Sequence, residues 1–390
     1  MSRNPFSLYV HVPFCAHKCP YCDFNTYATP SAPEAEYVSA LKAELATYAR
    51  DTRFAGRMVS TVFFGGGTPS LLSPSAIGEV IAAAKELFGI IDGAEITLEA
   101  NPSEPSKERY CGYREAGVNR VSFGVQSFHQ SRLELLGRDH SVEDAKTAVH
   151  RCVEAGIPNV SVDIIFGVAG QTLPDLDFDL ATALSLPITH LSTYALTIEP
   201  GTPFFQRQER GLLSMPPDET VAAMLEAIPQ RMSAGGFARY EISNYSKPGF
   251  ESRHNDVYWT GGDYLGIGAG AHSYSGVYEG ERLVKGERWS TLALPASYMK
   301  AAGVSSTVSW RESLSVESLQ FEFFYLGLRR MCGVSLREFE KRFGVSARTV
   351  YGRVLQELCE EGFLRDDGNA ISLTTSGIAL ADSIYERFLS

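Results

Sequence analysis

Three cysteines near the start of the chain have a spacing that suits an iron–sulfur cluster. Cys15, Cys19 and Cys22 follow the pattern C-x3-C-x2-C, and cysteine thiolates are the ligands that hold such clusters. Three thiolates on one loop can bind three irons of a four-iron cubane. The fourth iron then has no protein ligand, because Asp23 and Phe24 follow Cys22 directly. An open metal position is typical of a reactive site, so the spacing predicts a reactive [4Fe-4S] cluster.

The same thiols could instead bind zinc. A Cys3His site needs a histidine as its fourth tetrahedral ligand, and His11 and His17 are the nearby candidates. Zinc modules usually take two cysteine pairs from separate turns, whereas this compact triplet follows a predicted strand. We therefore favour the cluster and expect His11, inside that strand, to be a packed histidine.

A glycine-rich turn is the second candidate binding feature. The segment Gly65–Ser70 reads Gly-Gly-Gly-Thr-Pro-Ser directly after a predicted strand. Glycine has no Cβ, so a ligand can approach the backbone closely, and N–H groups at such a turn are expected to face it. Its position on the strand after the cluster loop favours a binding role over a plain turn.

The first half of the chain alternates β-rich runs with amphipathic helical stretches such as Glu34–Arg50. Most runs are continuous and rich in Val, Ile, Phe or Leu, as expected for parallel strands covered on at least one face. Such β-α repeats imply right-handed crossovers in an α/β fold, either a doubly wound sheet or a barrel. The six predicted strands are Ser7–Val12, Val59–Phe64, Glu95–Glu99, Arg120–Gly124, Val160–Ile165 and His190–Leu196.

Polar residues at the strand ends favour the barrel. Glu99, Gln126 and Asp163 lie at or just beyond the carboxyl end of a predicted strand, where barrel enzymes place their working groups. These residues could merely cap the next helix or turn, but that explanation suits one such residue better than three. We predict a partial, TIM-like (β/α)6 barrel that is open on one side, which would suit a large substrate.

Three segments are predicted along the chain. Residues 1–240 form the barrel domain, and residues 241–310 form a connecting segment rich in glycine and aromatic residues. Residues 311–390 form a C-terminal winged-helix-like α+β domain. This last prediction rests on two helical stretches between 334 and 362, a hairpin over 363–373 with an Asp-Gly turn, and a final helix.

Composition limits the location and the redox state. No apolar run in the 390 residues reaches a membrane span, and no signal-peptide pattern opens the chain, so a cytoplasmic location is expected. Seven cysteines are too few and too irregular for a disulfide framework. Cys111, Cys152, Cys332 and Cys359 are therefore expected to be reduced and mostly buried.

The charge disfavours a nucleic-acid partner. The formal net charge is −11, from 46 acidic and 35 basic residues, whereas a nucleic-acid surface needs clustered Lys and Arg. Residues 311–387 carry ten basic and twelve acidic side chains, so no basic surface supports a DNA-reading winged helix. We expect this domain to close over the barrel mouth or to dock a partner.

Taken together, these motifs resemble the radical S-adenosylmethionine (SAM) superfamily. Its members carry the cluster on C-x3-C-x-φ-C, where φ is aromatic, and Tyr21 fills that position here. The resemblance covers the first part of the chain, 1–240. It implies that the open iron binds the amino and carboxylate groups of SAM, while a Gly-Gly-Thr-Pro-like turn, here Gly66–Pro69, cradles the amino group.

Within the superfamily, five segments resemble the branch that contains the oxygen-independent coproporphyrinogen III oxidases and their haem-chaperone relatives of the HemW type. The segments are Tyr9–Phe14, Gly65–Ser70, Glu99–Pro102, Ser122–Phe128 and Asp163–Gly167. The resemblance also implies which residues line the SAM site. They are Tyr9, Tyr21, Gly66, Gly67, Thr68, Glu99, Gln126, Arg138, Asp163 and Ala195.

The chemistry of these residue types fits SAM. An arginine such as Arg138 can meet the SAM carboxylate. Glu99 or Asp163 can accept hydrogen bonds from the ribose hydroxyls, and the amide of Gln126 can serve either group.

Two features separate the oxidases from the chaperones. The oxidases carry a fourth cysteine two residues after the third and a longer N-terminal arm, whereas here Phe24 takes that position and 14 residues precede Cys15. The chaperones carry H-N-x-x-Y-W, which is intact as His254–Trp259. The family's segment Gly-Leu-Pro-Gly-Gln-Thr has Val168 and Ala169 here in place of its leucine and proline. Loss of the proline is expected to change the local turn.

His254 has two interpretations. An imidazole beside Tyr258 and Trp259 offers an iron ligand and flat apolar walls for a macrocycle, so His254 is a candidate haem-binding residue. Alternatively, the two aromatic residues lock the glycine-rich segment onto the barrel while His254 bonds a carbonyl. The sequence leaves both open.

The resemblance implies a cytoplasmic haem-trafficking protein that binds a [4Fe-4S] cluster, SAM and haem. Its expected partners are haem-accepting apo-proteins, including membrane-associated haem enzymes, and no nucleic acid. The alternative is an oxygen-independent coproporphyrinogen III oxidase, which oxidatively decarboxylates its substrate through a 5′-deoxyadenosyl radical. Phe24 and the short N-terminus argue against the oxidase.

Overall fold

Strands and helices alternate through the N-terminal part of the chain. A computed structural model describes residues 4–103 and 106–389. The elements up to the sixth repeat are β1 (Phe6–Val12), β2 (Phe14–Cys15), β3 (Tyr27–Ala28), α1 (Glu34–Tyr48), β4 (Val59–Gly66), α2 (Pro74–Phe88), β5 (Ile90–Ala100), α3 (Lys107–Glu115), β6 (Arg120–Gln126), α4 (Gln130–Leu135), α5 (Val142–Glu154), β7 (Asn159–Phe166), α6 (Leu173–Ser185) and β8 (His190–Ala195), with a 3-10 helix at Pro69–Leu71.

The six predicted strands form the centre of one sheet. Strands β1, β4, β5, β6, β7 and β8 are adjacent in chain order, and each pairs in parallel with the next. This arrangement confirms the predicted α/β fold with a partial six-stranded barrel. Among the described residues the sheet is open rather than closed, because β8 does not pair back onto β1.

The middle of the chain extends this sheet at both edges. Its elements are α7 (Pro203–Glu209), α8 (Asp218–Ala234), β9 (Ala238–Arg239), β10 (Asn244–Ser246), α9 (Arg253–Trp259), β11 (Tyr264–Ile267), β12 (His272–Glu279), β13 (Arg282–Thr291), α10 (Pro295–Ala301) and β14 (Val308–Leu314). Strand β10 pairs with β8, whereas β11 pairs in parallel with β1 on the opposite side and continues through β12 to β14. The sequence predicts only a connecting segment rich in glycine and aromatic residues over 241–310, so α9 and β11 are elements that it misses.

The C-terminal part contains the predicted helices and hairpin. Its elements are α11 (Val316–Gly327), β15 (Val334–Ser335), α12 (Leu336–Phe343), α13 (Ala347–Glu360), β16 (Leu364–Asp366), β17 (Ala370–Leu373), α14 (Thr375–Ala379), α15 (Ala381–Glu386) and a 3-10 helix at Arg387–Leu389. Strands β15, β17 and β16 form a small antiparallel sheet, and an apolar core of its own includes Phe324, Phe339 and Tyr351. The winged-helix-like arrangement matches the prediction, except that the first helix begins at Leu336 because Val334 and Ser335 pair with β17. The boundaries of the three segments stay a prediction.

The two faces of the parallel sheet differ in chemistry. On one face, side chains such as Leu8 and Val62 are fully buried in the main apolar core beneath the helices. On the other, side chains such as Ser7, Thr61 and Tyr9 line the barrel interior, where the Thr61 hydroxyl donates to the Ser7 hydroxyl at 2.7 Å. Because side chains alternate along a strand, each strand supplies both the core and the candidate site.

No helix in the described ranges of the chain is long and apolar enough to cross a membrane.

A buried carboxyl group ties the β11–β14 extension to the barrel. Glu44 on α1 is 1% exposed and accepts hydrogen bonds from the Gly268 N–H at 3.0 Å, the Tyr298 hydroxyl at 2.6 Å and the Thr307 hydroxyl at 2.6 Å. Burial raises the pKa of the Glu44 carboxyl. These donors come from three separate segments, so one side chain holds all three against α1.

Glu44→Ala should therefore lower the free energy of unfolding by about 2–4 kcal/mol, because three buried donors lose their acceptor. Denaturant titration followed by circular dichroism measures this change. Glu86→Ala, at an exposed position of α2, is the control and should change stability by about 0.5 kcal/mol or less. Equal effects of the two substitutions would contradict the proposed role of the network.

Candidate functional site

The three cysteines lie on the loop that follows β1. Cys15 and Cys22 are partly exposed, Cys19 is buried, and all three are free thiols. The loop is closed at its base by the short parallel pair of β2 and β3, and the Cys22 N–H donates to the Cys19 carbonyl at 3.1 Å. The fold thus presents three thiols from one short loop at the carboxyl end of β1.

Each thiol has a polar neighbour. The Thr68 hydroxyl donates to Cys15 Sγ at 3.5 Å, and Arg138 Nη1 donates to Cys19 Sγ at 3.3 Å. Burial raises the pKa of the Cys15 and Cys22 thiols. Metal binding requires thiolates, and a guanidinium beside them offsets part of their negative charge.

The histidines considered for zinc have other partners. His11 Nδ1 is 3.0 Å from the Tyr9 hydroxyl, and His11 Nε2 is 3.0 Å from the Asn25 carbonyl oxygen. His17 Nε2 contacts the Gly137 carbonyl. In the part of the chain that the structure describes, no group of three or more His, Cys, Asp and Glu side chains surrounds a single metal position. A cubane distributes its cysteine ligands over different irons, so the thiols need not converge on one point.

The glycine-rich turn packs directly against the cluster loop. The Gly67 N–H donates to the Val12 carbonyl and the Thr68 N–H to the Phe14 carbonyl, both at 2.8 Å. The Gly66 N–H donates to Glu99 Oε2 at 3.1 Å. The expectation that these N–H groups face a ligand is therefore wrong, because the protein itself uses all three.

The turn also requires glycine for steric reasons. A Cβ on Gly67 would lie 2.6 Å from the Phe14 carbonyl oxygen and 3.0 Å from Cys15 Sγ. A Cβ on Gly66 would lie 2.5 Å from the His11 ring, and Gly66 has a φ of +114°, which favours glycine. These two glycines let the turn approach the cluster loop.

Arg138 is held beside the cluster loop by hydrogen bonds that leave its Nε unused. Its Nη2 donates to Asn101 Oδ1 at 2.7 Å and to the Gly124 carbonyl at 2.8 Å, while Nη1 faces Cys19. Its Nε is buried and has no hydrogen-bond partner among the described residues. A guanidinium with an unused N–H fits an anionic group such as a carboxylate.

Two carboxyl groups face the barrel interior nearby. Burial, together with the negative charge of Asp163, raises the pKa of Glu99 to about 7. Burial also raises the pKa of Asp163, which accepts from the Ser122 hydroxyl at 3.3 Å. Asp163 lies within β7 rather than at its end, which corrects the predicted position. Such carboxyl groups can accept hydrogen bonds from the hydroxyls of a ligand.

Gln126 has an unusual backbone. Among the described residues it is the one non-glycine with a positive φ, at +72°, and it ends β6 where the pairing with β7 changes register. Residues held in sparsely populated conformations are concentrated at functional sites. The positive φ therefore marks Gln126 as a candidate functional residue.

Three predicted residues remain, Tyr9, Tyr21 and Ala195. The Tyr9 ring stacks on Phe63 with centroids 6.1 Å apart. Tyr21 lies on the cluster loop with its ring 6.2 Å from that of Phe204. Ala195 ends β8 and is exposed.

Sequence reasoning misses Asn101. Its Oδ1 accepts from Arg138 at 2.7 Å, and its Nδ2 donates to Asp139 Oδ1 at 2.6 Å. It therefore orients the guanidinium that faces the cluster loop. The signal was present, because Asn101 stands two residues after Glu99 in one of the characteristic segments.

His254 lies elsewhere, toward the amino-terminal end of β4. Its Nδ1 is 2.7 Å from the Thr61 hydroxyl and its Nε2 is 2.9 Å from the Tyr258 hydroxyl. The side chain is 1% exposed, its ring stacks on Phe63 at 5.0 Å, and burial lowers its pKa to about 3. Both ring nitrogens are engaged, although with hydroxyls rather than the expected carbonyl, so this geometry favours the packing interpretation.

Contacts from α9 lock the motif into the barrel. Glu95 accepts from the backbone N–H groups of Arg253 and His254 at 3.1 and 3.0 Å. Trp259 packs under the Arg329 guanidinium at 4.6 Å. The helix therefore closes the amino-terminal end of the barrel and contacts the C-terminal part.

Comparisons with known proteins agree with this geometry. The radical SAM superfamily matches residues 9–181, and the HemN C-terminal domain matches residues 314–380. Heme chaperone HemW of Bacillus subtilis (strain 168) is 38% identical, over 98% of this chain and 99% of that protein. Heme chaperone HemW of Escherichia coli (strain K12) is 36% identical, over 99% and 98%.

A solved structure shows the same fold. Coproporphyrinogen III oxidase (HemN) from Escherichia coli, a radical SAM enzyme, superimposes with a TM-score of 0.82 and 23% sequence identity, covering 98% of this chain and 90% of that one. The two sequence identities of 38% and 36% over nearly full length are to proteins named heme chaperone HemW. The chain therefore belongs to the radical SAM superfamily and, within it, to the family of the heme chaperone HemW.

Proposed function

We propose that this protein is a haem chaperone that binds a [4Fe-4S] cluster, SAM and haem and delivers haem to apo-proteins. One observation carries the proposal. Over nearly its full length the chain is 36–38% identical to proteins named heme chaperone HemW. Membership of the radical SAM superfamily also implies a [4Fe-4S] cluster and SAM.

Cys15, Cys19 and Cys22 are the proposed cluster ligands. They are three free thiols on one loop, and no other cysteine lies close to them in the sequence. Arg138, 3.3 Å from Cys19 Sγ, would offset part of the negative charge that three thiolates bring. When bound, the cluster would offer its open iron to the amino and carboxylate groups of SAM.

The SAM site is proposed to occupy the rim between the glycine turn and Arg138. The unused Nε of Arg138 supports a contact with the SAM carboxylate. Because the N–H groups of Gly66, Gly67 and Thr68 are already used, the turn would present carbonyl oxygens, which suit an ammonium group. The Glu99 carboxyl would accept from a ribose hydroxyl.

The wider SAM site would include residues from the strand ends and from the adjoining barrel interior. Asp163 would serve the second ribose hydroxyl, and Gln126 would serve either the ribose or the carboxylate. Tyr9, Tyr21 and Ala195 would complete the walls.

The alternative function is an oxygen-independent coproporphyrinogen III oxidase. The fold of HemN favours it, since the two chains superimpose over most of their length. The residue at position 24 argues against it, because the Phe24 side chain is 64% exposed beside the cluster loop and has no metal-binding atom.

We expect Cys15→Ala, Cys19→Ala and Cys22→Ala each to abolish the brown chromophore and most of the iron and sulfide, which is about four of each per chain in a complete cluster. Anaerobic purification with iron and sulfide analysis measures this. In the unmodified protein, SAM should change the electron paramagnetic resonance signal of the reduced cluster.

Cys332→Ala is the matched control, because Cys332 is an exposed thiol remote in sequence from the loop; it should keep the full cluster. A complete cluster in two of the three loop variants would contradict the ligand assignment. Stoichiometric zinc in an anaerobic preparation would also contradict it.

Haem, rather than coproporphyrinogen III, should be the macrocyclic ligand. The unmodified protein should bind haem stably, transfer it to an apo-haem protein, and show no anaerobic conversion of coproporphyrinogen III to protoporphyrinogen IX. Phe24→Cys should not create that conversion, because one added thiol does not change the rest of the site. Efficient oxidase turnover by the unmodified protein would overturn the chaperone proposal in favour of the alternative.

A further inference from the structure

A cavity separates the helix of the H-N-x-x-Y-W motif from the C-terminal part. It lies between α9, strands β11 to β13, and helices α11 and α12, and its volume is about 380 Å³. That volume is within the range of small-molecule sites in proteins. The cavity lies away from the cluster loop, since none of its lining residues belongs to that loop or to the glycine turn.

The walls of the cavity are mainly aromatic. Tyr258 from α9 and Tyr264 from β11 meet edge to face at 4.7 Å. Phe321 and Tyr325 from α11 stack with centroids 5.7 Å apart and ring planes inclined by 17°. Aromatic walls favour flat, apolar ligands.

Two arginines and one glutamate also line the cavity. Arg342 lines it, donates to the Thr260 carbonyl at 2.9 Å, and pairs with the half-exposed Glu338 at 3.3 Å. Arg288 lines it too but is neutralised by Glu322 at 2.5 Å. Since the partner of Arg342 is solvated, its guanidinium remains able to pair with a carboxylate of a ligand.

The cavity reaches the haem-chaperone motif through Tyr258 rather than through His254. Tyr258 lines the cavity, whereas His254 is fully buried behind it and does not line it. The Tyr258 hydroxyl and His254 Nε2 are 2.9 Å apart. The motif therefore presents a phenol ring, and not an imidazole, to this space.

We propose that this cavity binds the haem macrocycle, with Tyr258 as part of its wall and Arg342 facing a propionate carboxylate. The inference rests on the proposed haem-chaperone function and assigns a site to it. Haem is flat and largely apolar and carries two carboxylates at one edge, which matches aromatic walls with a cation beside them. The barrel interior around the cluster loop remains the SAM site.

Haem titration of the anaerobically purified full-length protein tests the site. Phe321→Glu places a carboxylate among the aromatic walls and should weaken haem binding by about tenfold or more. Tyr325→Glu tests the same wall at a more exposed position, 41% exposed, where loss of folding is not expected. Phe178→Glu, at an exposed helical position outside the cavity, is the matched control and should leave affinity unchanged.

Haem dimethyl ester, whose propionates carry no charge, tests the proposed contact between Arg342 and a propionate. The unmodified protein should bind haem more tightly than haem dimethyl ester, and Arg342→Gln should remove that preference by weakening haem alone, by about tenfold. Arg337→Gln, an exposed arginine on the same helix, should keep the preference. His254→Gln should leave the haem absorption bands in place, because the imidazole does not reach the cavity.

The outcomes separate the site from the function. Failure of the unmodified protein to bind haem would contradict both proposals. Haem binding that is undiminished in Phe321→Glu, Tyr325→Glu and Arg342→Gln would overturn the cavity and leave the chaperone function intact. A shift of the haem bands in His254→Gln but not in Tyr258→Phe, which loses the same hydrogen bond, would likewise overturn the cavity in favour of direct ligation.

Discussion

A close backbone contact between two loops underlies the whole candidate site. The loop after β1 and the turn after β4 approach until a Cβ on Gly67 would be 2.6 Å from the Phe14 carbonyl oxygen and 3.0 Å from Cys15 Sγ. The contact exists because β1 and β4 are adjacent parallel strands that end at the same edge of the sheet. Arg138 and Glu99 are positioned around this pair of loops by hydrogen bonds. The cysteine spacing alone could not hold the thiols in a fixed relation to the rest of the rim.

Much of the architecture is predictable, because buried parallel strands have a strong local signal. The predicted strand Arg120–Gly124 becomes β6, ending at Gln126, and the other five strands appear in the same order. The elements that were missed depend on distant partners. Strand β11 forms by pairing with β1, more than 250 residues earlier. Helix α9 is seven residues long and is packed on several of its sides. Short segments of this kind lack the one-sided periodicity that local patterns detect.

The sequence predicts which residues lie at the site better than it predicts what each residue binds there. The cysteine, glycine and arginine positions follow from the motifs, yet the use of the turn's N–H groups depends on the carbonyls of Val12 and Phe14. His254 is the clearest case. Its pairing with Thr61, 193 positions away, engages one ring nitrogen, and Tyr258 engages the other. A motif identifies the residue but not the face of the protein to which it turns.

The central claim is that the glycine turn and the cluster loop form one packed unit, and iron content of Gly67→Ala tests it most directly. The account predicts that this variant folds but retains only a minor part of its iron after anaerobic reconstitution, since the added methyl group must displace the Phe14 carbonyl or Cys15. Gly352→Ala, where a Cβ meets nothing within 4 Å, should retain a full cluster. A complete cluster in Gly67→Ala, with an unchanged response of its paramagnetic signal to SAM, would contradict the account.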